Sequence, residues 1–410
     1  MSEFFDALET RVPAAREAAL MAALRAQVAH AQASSPAYAE LLARVDAAGI
    51  NSRTALATLP LTRKSSLAAA QAARRALRLG GYAAGRPLRI FQSPGPLYEP
   101  EPASDGADPW RIARALHAAG IRAGQLVHVG FSYHLTPAGA MMEAGLRALG
   151  AASFPGGVGN TELQLQAMLD LRPEAYAGTP SLLRILLEKA ADGGHDLSGL
   201  RRALLSGEAC PPALRAWFAE RGVEAYQCYA TADLGLIAYE TAARQGLVVD
   251  EGVIVEIVRP GSGDPLPDGE VGEVVVTTLS PGYPLIRFAT GDLSAMLPGA
   301  SPCGRSNQRL RGWLGRADQS AKVRGMFVHA GQVAEVLKRH PELHRARLVV
   351  SGELARDRVV LQIEAVSGMP QAFLDGLMQT ARDLTKLRVE VEVLPSGSLP
   401  NDGLLIEDRR

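Results

Sequence analysis

A chain of 410 residues exceeds what one compact core commonly holds and implies two or three domains. Apolar residues make up 47% of it and 43 basic residues balance 43 acidic ones, so no polyanion-binding surface is announced and nucleic acid is not an expected partner. The three cysteines, Cys210, Cys228 and Cys303, are widely spaced and odd in number, which argues for free thiols in a reducing cytosol rather than a disulfide framework.

The opening MSEFFDALETR lacks the basic-then-apolar order of a signal peptide, and no run of about 18 apolar residues offers a membrane span. A cytoplasmic protein without membrane contact is expected. Leu20, Leu24, Val28 and Ala31 recur at helical spacing and Ser34-Ser35-Pro36 punctuates the run, so residues 1–80 read as an Ala-rich helical packing layer without chemistry. Between Arg89 and Trp110 the chain reads RIFQSPGPLYEPEPASDGADPW, in which Ser93-Pro94-Gly95 is followed by Glu99, Glu101 and Asp105.

From Gln125 to Ala230 strand and helix alternate, with candidate strands at 126–131, 151–155, 175–178, 203–207 and 223–229. Thr179-Pro180 and Cys210-Pro211 are good helix starts. Repeated βα units of this length imply a parallel sheet covered by helices on both faces, with ligands beyond the carboxyl ends of the strands. Two strand ends therefore matter most: Ser206-Gly207-Glu208 and Tyr229-Ala230-Thr231-Ala232-Asp233. Taken bare, Tyr229 also fits a core aromatic and Asp233 a helix cap. The stretch FSYHLTPAGAMMEAG, which carries Phe131, Tyr133, His134 and Met141, suits either a core or a pocket for an apolar or aromatic acid.

Residues 247–279 are β in pattern and read as an antiparallel subdomain. Then comes the densest stretch, which begins PLIRFATGDL at Pro284 and ends GRADQSAKVRG at Gly325. Pro284 to Phe288 is extended and apolar, and Thr290-Gly291-Asp292 supplies turn residues. Such a turn leaves the Asp292 carboxylate at a strand end, placed to accept two neighbouring ribose hydroxyls. Arg316, Asp318, Lys322 and Arg324 follow within nine residues, which also fits a hairpin with a solvated basic rim. A boundary after Gly315 leaves a remainder of helices at 331–340 and 370–384 among three strands, a small α+β sandwich.

The two densest motifs resemble the ribose-binding and hinge motifs of adenylate-forming enzymes, in particular the phenylacetate–CoA ligase-like branch, where they read PLIRYRTGDL and GRxDDxxKVRGxxVxPxQVE. This chain keeps PLIR, TGDL, GR, Lys322-Val323-Arg324-Gly325, Val328 and Gln332-Val333, and departs at Ala289 and Gln319. FFDALETRVPAAREA, SSPAYAELL and LPLTRKSSL match the opening of the same branch. Ser206-Gly207-Glu208 is similar to its GAEP segment and Tyr229–Asp233 to its YGxTE.

The resemblance implies an α/β fold: a large N-terminal domain over residues 1–316, with a parallel βα-layered sheet and a β subdomain from about residue 247, and a small mobile α+β domain over 317–410. It implies a ligase that activates an aryl or acyl carboxylate with ATP and passes the acyl group to CoA, with Mg²⁺ held by Asp233. Tyr229 with Ser206, Gly207, Glu208 and Ala230 would meet the adenine side, Asp292 the ribose, and Thr231 the phosphates. Arg316 and Lys322 would act at the ribose–phosphate side and the reacting centre, Asp318 would be the hinge, and Arg324 with Gly325 would flank the CoA path. Phe131, Tyr133, His134 and Met141 would line the acyl pocket. Partners would be small molecules, a carboxylate and a nucleotide, with a homodimer left open.

Several positions depart from that pattern. The branch's phosphate loop, SSGTTGKP, survives only as Ser93-Pro94-Gly95, and the three carboxylates after it would repel a triphosphate. The C-terminal LPxxxGK is LPNDGLL here, so Leu404 stands where a lysine is expected; a charge missing at a developing anion costs about 3–4 kcal/mol. Cys303-Gly304-Arg305 resembles a CxCGR zinc element, but Ser301 replaces the other cysteine, so no structural zinc is expected; Arg305 is assigned to the nucleotide side. The alternative is a member that uses only preformed acyl adenylate or thioester, or a non-catalytic nucleotide or acyl binder acting through a partner.

Overall fold

The computed structural model describes residues 3–93, 96–102, 106, 108–314, 316–317, 320–323, 326–343, 345–352, 357–364, 369–395, 397–400 and 404–410. The chain divides into two compact units, Met1–Leu314 and Gly315–Arg410.

In the first unit the helix Pro13–Ser34 starts at a proline and turns Leu20, Leu24, Val28 and Ala31 inward, as their spacing predicts. Ser35 ends it and caps the next helix, Pro36–Leu41, by accepting from the Tyr38 N–H. Thr62–Arg63 then pairs in parallel with Phe288 and Ala289, and the helix Lys64–Ala73 begins at once. The helical layer is thereby tied to the edge of a four-stranded sheet, and its first lysine is delivered to a strand end.

The central sheet has nine strands. Five are mutually parallel: Ala152–Phe154, Leu126–Gly130, Ala175–Gly178, Arg202–Leu205 and Glu224–Thr231. Each lies within about two residues of the sequence expectation. Glu224–Thr231 then turns into Gly235–Glu240, and the rest of the sheet is antiparallel. Small apolar residues such as Ala175, Ala177 and Ala203 let the helices close on its faces, and Trp110, Leu204 and Val127 fill one core. Each large side chain so buried contributes roughly 1.5–3 kcal/mol.

Two stretches differ from expectation. Residues 89–101 contain an antiparallel hairpin, Ile90–Ser93 against Leu97–Pro100, in which Leu97 and Glu99 face inward and Tyr98 outward, the two-residue alternation of a strand. Thr290-Gly291-Asp292 is not a turn that ends a strand but lies inside one, Phe288–Ser294. Its pairing with Gly272–Thr278 slips between Glu273 and Val275. Gly291 takes φ +74°, and the Thr290 hydroxyl donates to the Val274 carbonyl that a regular ladder would have satisfied. The extra residues make a bulge, which re-aims the Asp292 side chain.

The second unit holds a hairpin, Ser320–Val323 with Met326–His329, and a four-stranded sheet with the helices Ala330–Arg339 and Gln371–Thr385. Beyond the expected strands, Ile406–Asp408 adds in parallel to Arg345–Ser351, and Leu404 stands exposed just before it. Among the described residues no helix is long and apolar enough to cross a membrane.

Candidate functional site

The bulge brings Asp292 to the end of the strand that carries Tyr229. The Tyr229 hydroxyl donates to Asp292 Oδ2 at 2.7 Å and the Trp313 indole N–H to Oδ1 at 3.0 Å. Thr290 Oγ1 accepts from the Asp292 N–H and so fixes the backbone beneath the carboxylate. A carboxylate offers about four lone-pair sites, enough to accept the hydroxyls of a vicinal diol beside these two donors. Tyr229 stands where Glu224–Thr231 slips in register against Gly235–Glu240, its ring anchored at the tip by the acid that would hold the sugar.

Two residues beyond Thr231, whose Oγ1 accepts from the Leu234 N–H, lies a second and more highly charged group. Lys64 Nζ is 3.4 Å from both Asp233 Oδ2 and Glu99 Oε1, and the Ser93 hydroxyl donates to Glu99 Oε1 at 2.7 Å. Glu99 and Asp233 are 1% and 5% exposed, whereas the Lys64 side chain is 42% exposed and covers them. Burial first, and then the neighbouring Asp233 charge, push the Glu99 carboxyl well above the usual range. Burial alone would lower Lys64, but Asp233 and Glu99 outweigh it and raise it. The Tyr283 hydroxyl is buried too, and burial first, then the charges of Asp233 and Glu99, raise it.

The remaining expected residues fall in different places. Ser206 Oγ donates to the Cys228 carbonyl, tying two strand ends together. Gly207 takes φ +79°, with Phe131 3.5 Å from where a Cβ would stand, so a side chain there would strain the backbone and press on that ring. Glu208 accepts from the Ser181 N–H in the first turn of Pro180–Asp192, where a helix favours negative charge. Ala230 is half-buried beside Tyr229. Met141 packs in the core with Trp110, while Tyr133 is partly exposed and His134 lies on an exposed loop, its N–H donating to Ser132.

Arg305 does not join either group. It is 4% exposed, its Nε lies 2.9 Å from Glu9, and its guanidinium sits over the rings of Phe4 and Tyr239, so it pins the N-terminal segment to the sheet. Arg316 is half-buried at the start of the second unit. Asp318, Arg324 and Gly325 lie outside the described residues, as does the side chain of Lys322.

Sequence reasoning missed Lys64, Trp313 and Tyr283. Lys64 stands in the LPLTRKSSL segment, but it is 169 positions from Asp233 and no spacing rule spans that distance. Trp313 carried no signal beyond its proximity to Arg316.

Three comparisons bear on this arrangement. Residues 133–283 match the AMP-binding enzyme family. The phenylacetate-coenzyme A ligase of Thermus thermophilus is 32% identical over 360 residues, 83% of this chain and 79% of that protein. That of Aromatoleum evansii is 31% identical over 340 residues, 78% of this chain and 74% of that protein. A solved structure of 2-hydroxyisobutyryl-CoA ligase aligns with a TM-score of 0.81 at 24% identity, over 99% of this chain and 92% of that one, and shows the shared fold.

Proposed function

We propose, from the premise that the chain belongs to the phenylacetate–coenzyme A ligase branch of the adenylate-forming superfamily, that it is a carboxylate–CoA ligase. A carboxylate attacks the α-phosphate of ATP and pyrophosphate leaves. The thiol of CoA then attacks the acyl carbon of the adenylate, and AMP leaves with the electron pair of the broken bond.

The observation that carries this reading is the pairing of Tyr229 with Asp292, in which an aromatic face and a diol-binding carboxylate meet at the end of a parallel strand. In it Asp292 holds the ribose, the Tyr229 ring covers the adenine, and Ser206, Gly207, Glu208 and Ala230 form the adjoining wall. Thr231 meets phosphate. Phe131, beside Gly207, is the acyl-pocket candidate next to that wall, with Tyr133, His134 and Met141 farther along the same stretch. Arg316 serves the ribose–phosphate side, Lys322 the reacting centre, and Asp318, Arg324 and Gly325 the hinge and CoA path, on a small domain that moves between the two half-reactions.

Mg²⁺ suits the donors present. Asp233 offers a hard carboxylate oxygen, Oδ1, that is buried and has no N–H or hydroxyl donor among the described residues, a setting in which a cation would neutralise phosphate charge. The residues of the second half of the site thus fit the metal, and it is the protein's own carboxylates that would position it.

The test is carboxylate-dependent ATP–pyrophosphate exchange, followed by thioester formation with CoA, across a panel of aryl and short acyl acids. Exchange with at least one acid and the matching thioester are expected. AMP binding without exchange or thioester formation across the panel would overturn the assignment.

A further inference from the structure

The Glu99 carboxylate is the feature of the site that the family pattern does not account for, because it occupies the hairpin where a phosphate loop is expected. Its Oε1 is engaged by Ser93 and Lys64, and Asp233 Oδ2 by Lys64. The other two oxygens, Glu99 Oε2 and Asp233 Oδ1, are buried and have no N–H or hydroxyl donor among the described residues. Lys64 Nζ, 3.4 Å from each acid, nevertheless sets the two carboxyl groups side by side. Two acids so placed, each with one oxygen turned away from the ammonium, offer a cation a pair of hard oxygen ligands.

A third group independently marks the same spot. The Tyr283 hydroxyl is 1% exposed, has no partner among the described residues, and lies close enough to both acids for their charges to raise it. A buried hydroxyl without a partner is costly and points to a species that the protein atoms alone do not supply. The cover over this space is Lys64, the one exposed member of the group, whose ammonium sits where an entering cation would pass.

We propose that Glu99 and Asp233 together hold a divalent cation, Mg²⁺ in the working protein, with Glu99 as a second carboxylate ligand contributed by the Leu97–Pro100 strand. The proposal rests on the ligase reading and deepens it at the phosphate side. Mg²⁺ is bound by one or two carboxylates together with waters and substrate phosphates, and two carboxylates with Ser93 and Tyr283 hydroxyls nearby match that demand. The charge count also changes sign. Two carboxylates alone repel a polyphosphate, but with a divalent cation between them and the Lys64 ammonium beside them the group carries net positive charge and attracts it. The carboxylate that looked incompatible with ATP becomes part of how ATP is held.

Mn²⁺ tests this directly, as a paramagnetic cation that takes the same oxygen ligands. The full-length protein is titrated with Mn²⁺ in the absence of nucleotide and the free ion is read by electron paramagnetic resonance. Glu99→Gln, Lys64→Met and Glu101→Gln are compared with wild type, and melting curves establish that each is folded. Glu99→Gln should weaken Mn²⁺ binding at least ten-fold, Lys64→Met should tighten it several-fold by removing the competing ammonium, and Glu101→Gln should leave it unchanged. Wild-type affinity in Glu99→Gln, or no stoichiometric Mn²⁺ in either wild type or Lys64→Met, overturns the proposal. AMP titration of the same samples separates the two levels. AMP binding that survives while the Mn²⁺ result fails leaves the ligase reading intact, and failure of wild type to bind AMP sinks that reading itself.

Discussion

Among the groups that meet the Asp292 carboxylate are two neutral donors, a phenol on one oxygen and an indole N–H on the other. Around Asp233 a second buried carboxylate crowds the first, and a half-exposed ammonium balances them. Neutral dipoles orient a carboxylate without cancelling its charge, so these two donors set the Asp292 oxygens for sugar hydroxyls before any ligand arrives. In the phosphate half the charges are spent on one another. That half is organised by mutual compensation, and a ligand must displace or join those pairs. One half of the site is thus prebuilt and the other conditional, although both stand at ends of strands in the same unit.

Undercutting the nucleoside half from below should give the largest effect. Arg287, five residues before Asp292, is 2% exposed, pairs with Glu256 at 3.1 Å, and donates to the carbonyls of Ala57, Leu59 and Gly263. Arg287→Met leaves a buried carboxylate and three carbonyls without their partner, and about 3–5 kcal/mol of stability should be lost, read from urea unfolding midpoints. A change below 1 kcal/mol would mean that the strand bearing Asp292 does not depend on this anchor.

Lys64→Met breaks the conditional half and should cost less. Loss of the ammonium strands two buried acids, but its exposure to water discounts the penalty to about 1–2 kcal/mol, measured the same way. Trp313→Phe sharpens the contrast at single-bond scale. Removing the indole donor to Asp292 should weaken AMP binding about five-fold, close to 1 kcal/mol, in a calorimetric titration. No change would show that the indole is not part of the prebuilt half.

A background position keeps these effects from being confused with general acid sensitivity. His128 is buried on the parallel sheet, with Nε2 on Gln164 Oε1 at 2.8 Å, and burial holds its pKa below the ordinary value, outweighing the Gln164 bond that favours the charged form. Its native state binds fewer protons than the unfolded chain, so its contribution is present above pH ~6.5 and is lost as pH falls through the folded pKa. His128→Gln should flatten the fall in stability between pH ~6.5 and 5, and an unchanged slope would assign that fall elsewhere.

The sequence made the local parts of the site readable and left the distant ones dark. The TGD and YATAD stretches each announce a carboxylate at a strand end from residues a few positions apart. Their meeting, Tyr229 on Asp292 across 63 positions, depends on sheet order that no local pattern encodes. Lys64 belongs to a segment whose helical periodicity describes packing only, and its role appears once Thr62–Arg63 pairs with Phe288 and Ala289. The hairpin around Glu99 is short and rich in proline, so its alternation was drowned by turn-forming residues. The bulge at Gly291 was misread as a terminal turn because Thr-Gly-Asp suits both, and only the partner strand distinguishes them.

Division of the nucleotide between a prebuilt and a conditional half is tested most directly by calorimetric titration of AMP into Asp292→Ala and Glu99→Gln side by side. The account predicts that Asp292→Ala lowers AMP affinity about 100-fold, roughly 2.7 kcal/mol, with its melting point retained, while Glu99→Gln binds AMP within about three-fold of wild type. Unchanged affinity in Asp292→Ala, or an equal loss in both variants, would contradict it.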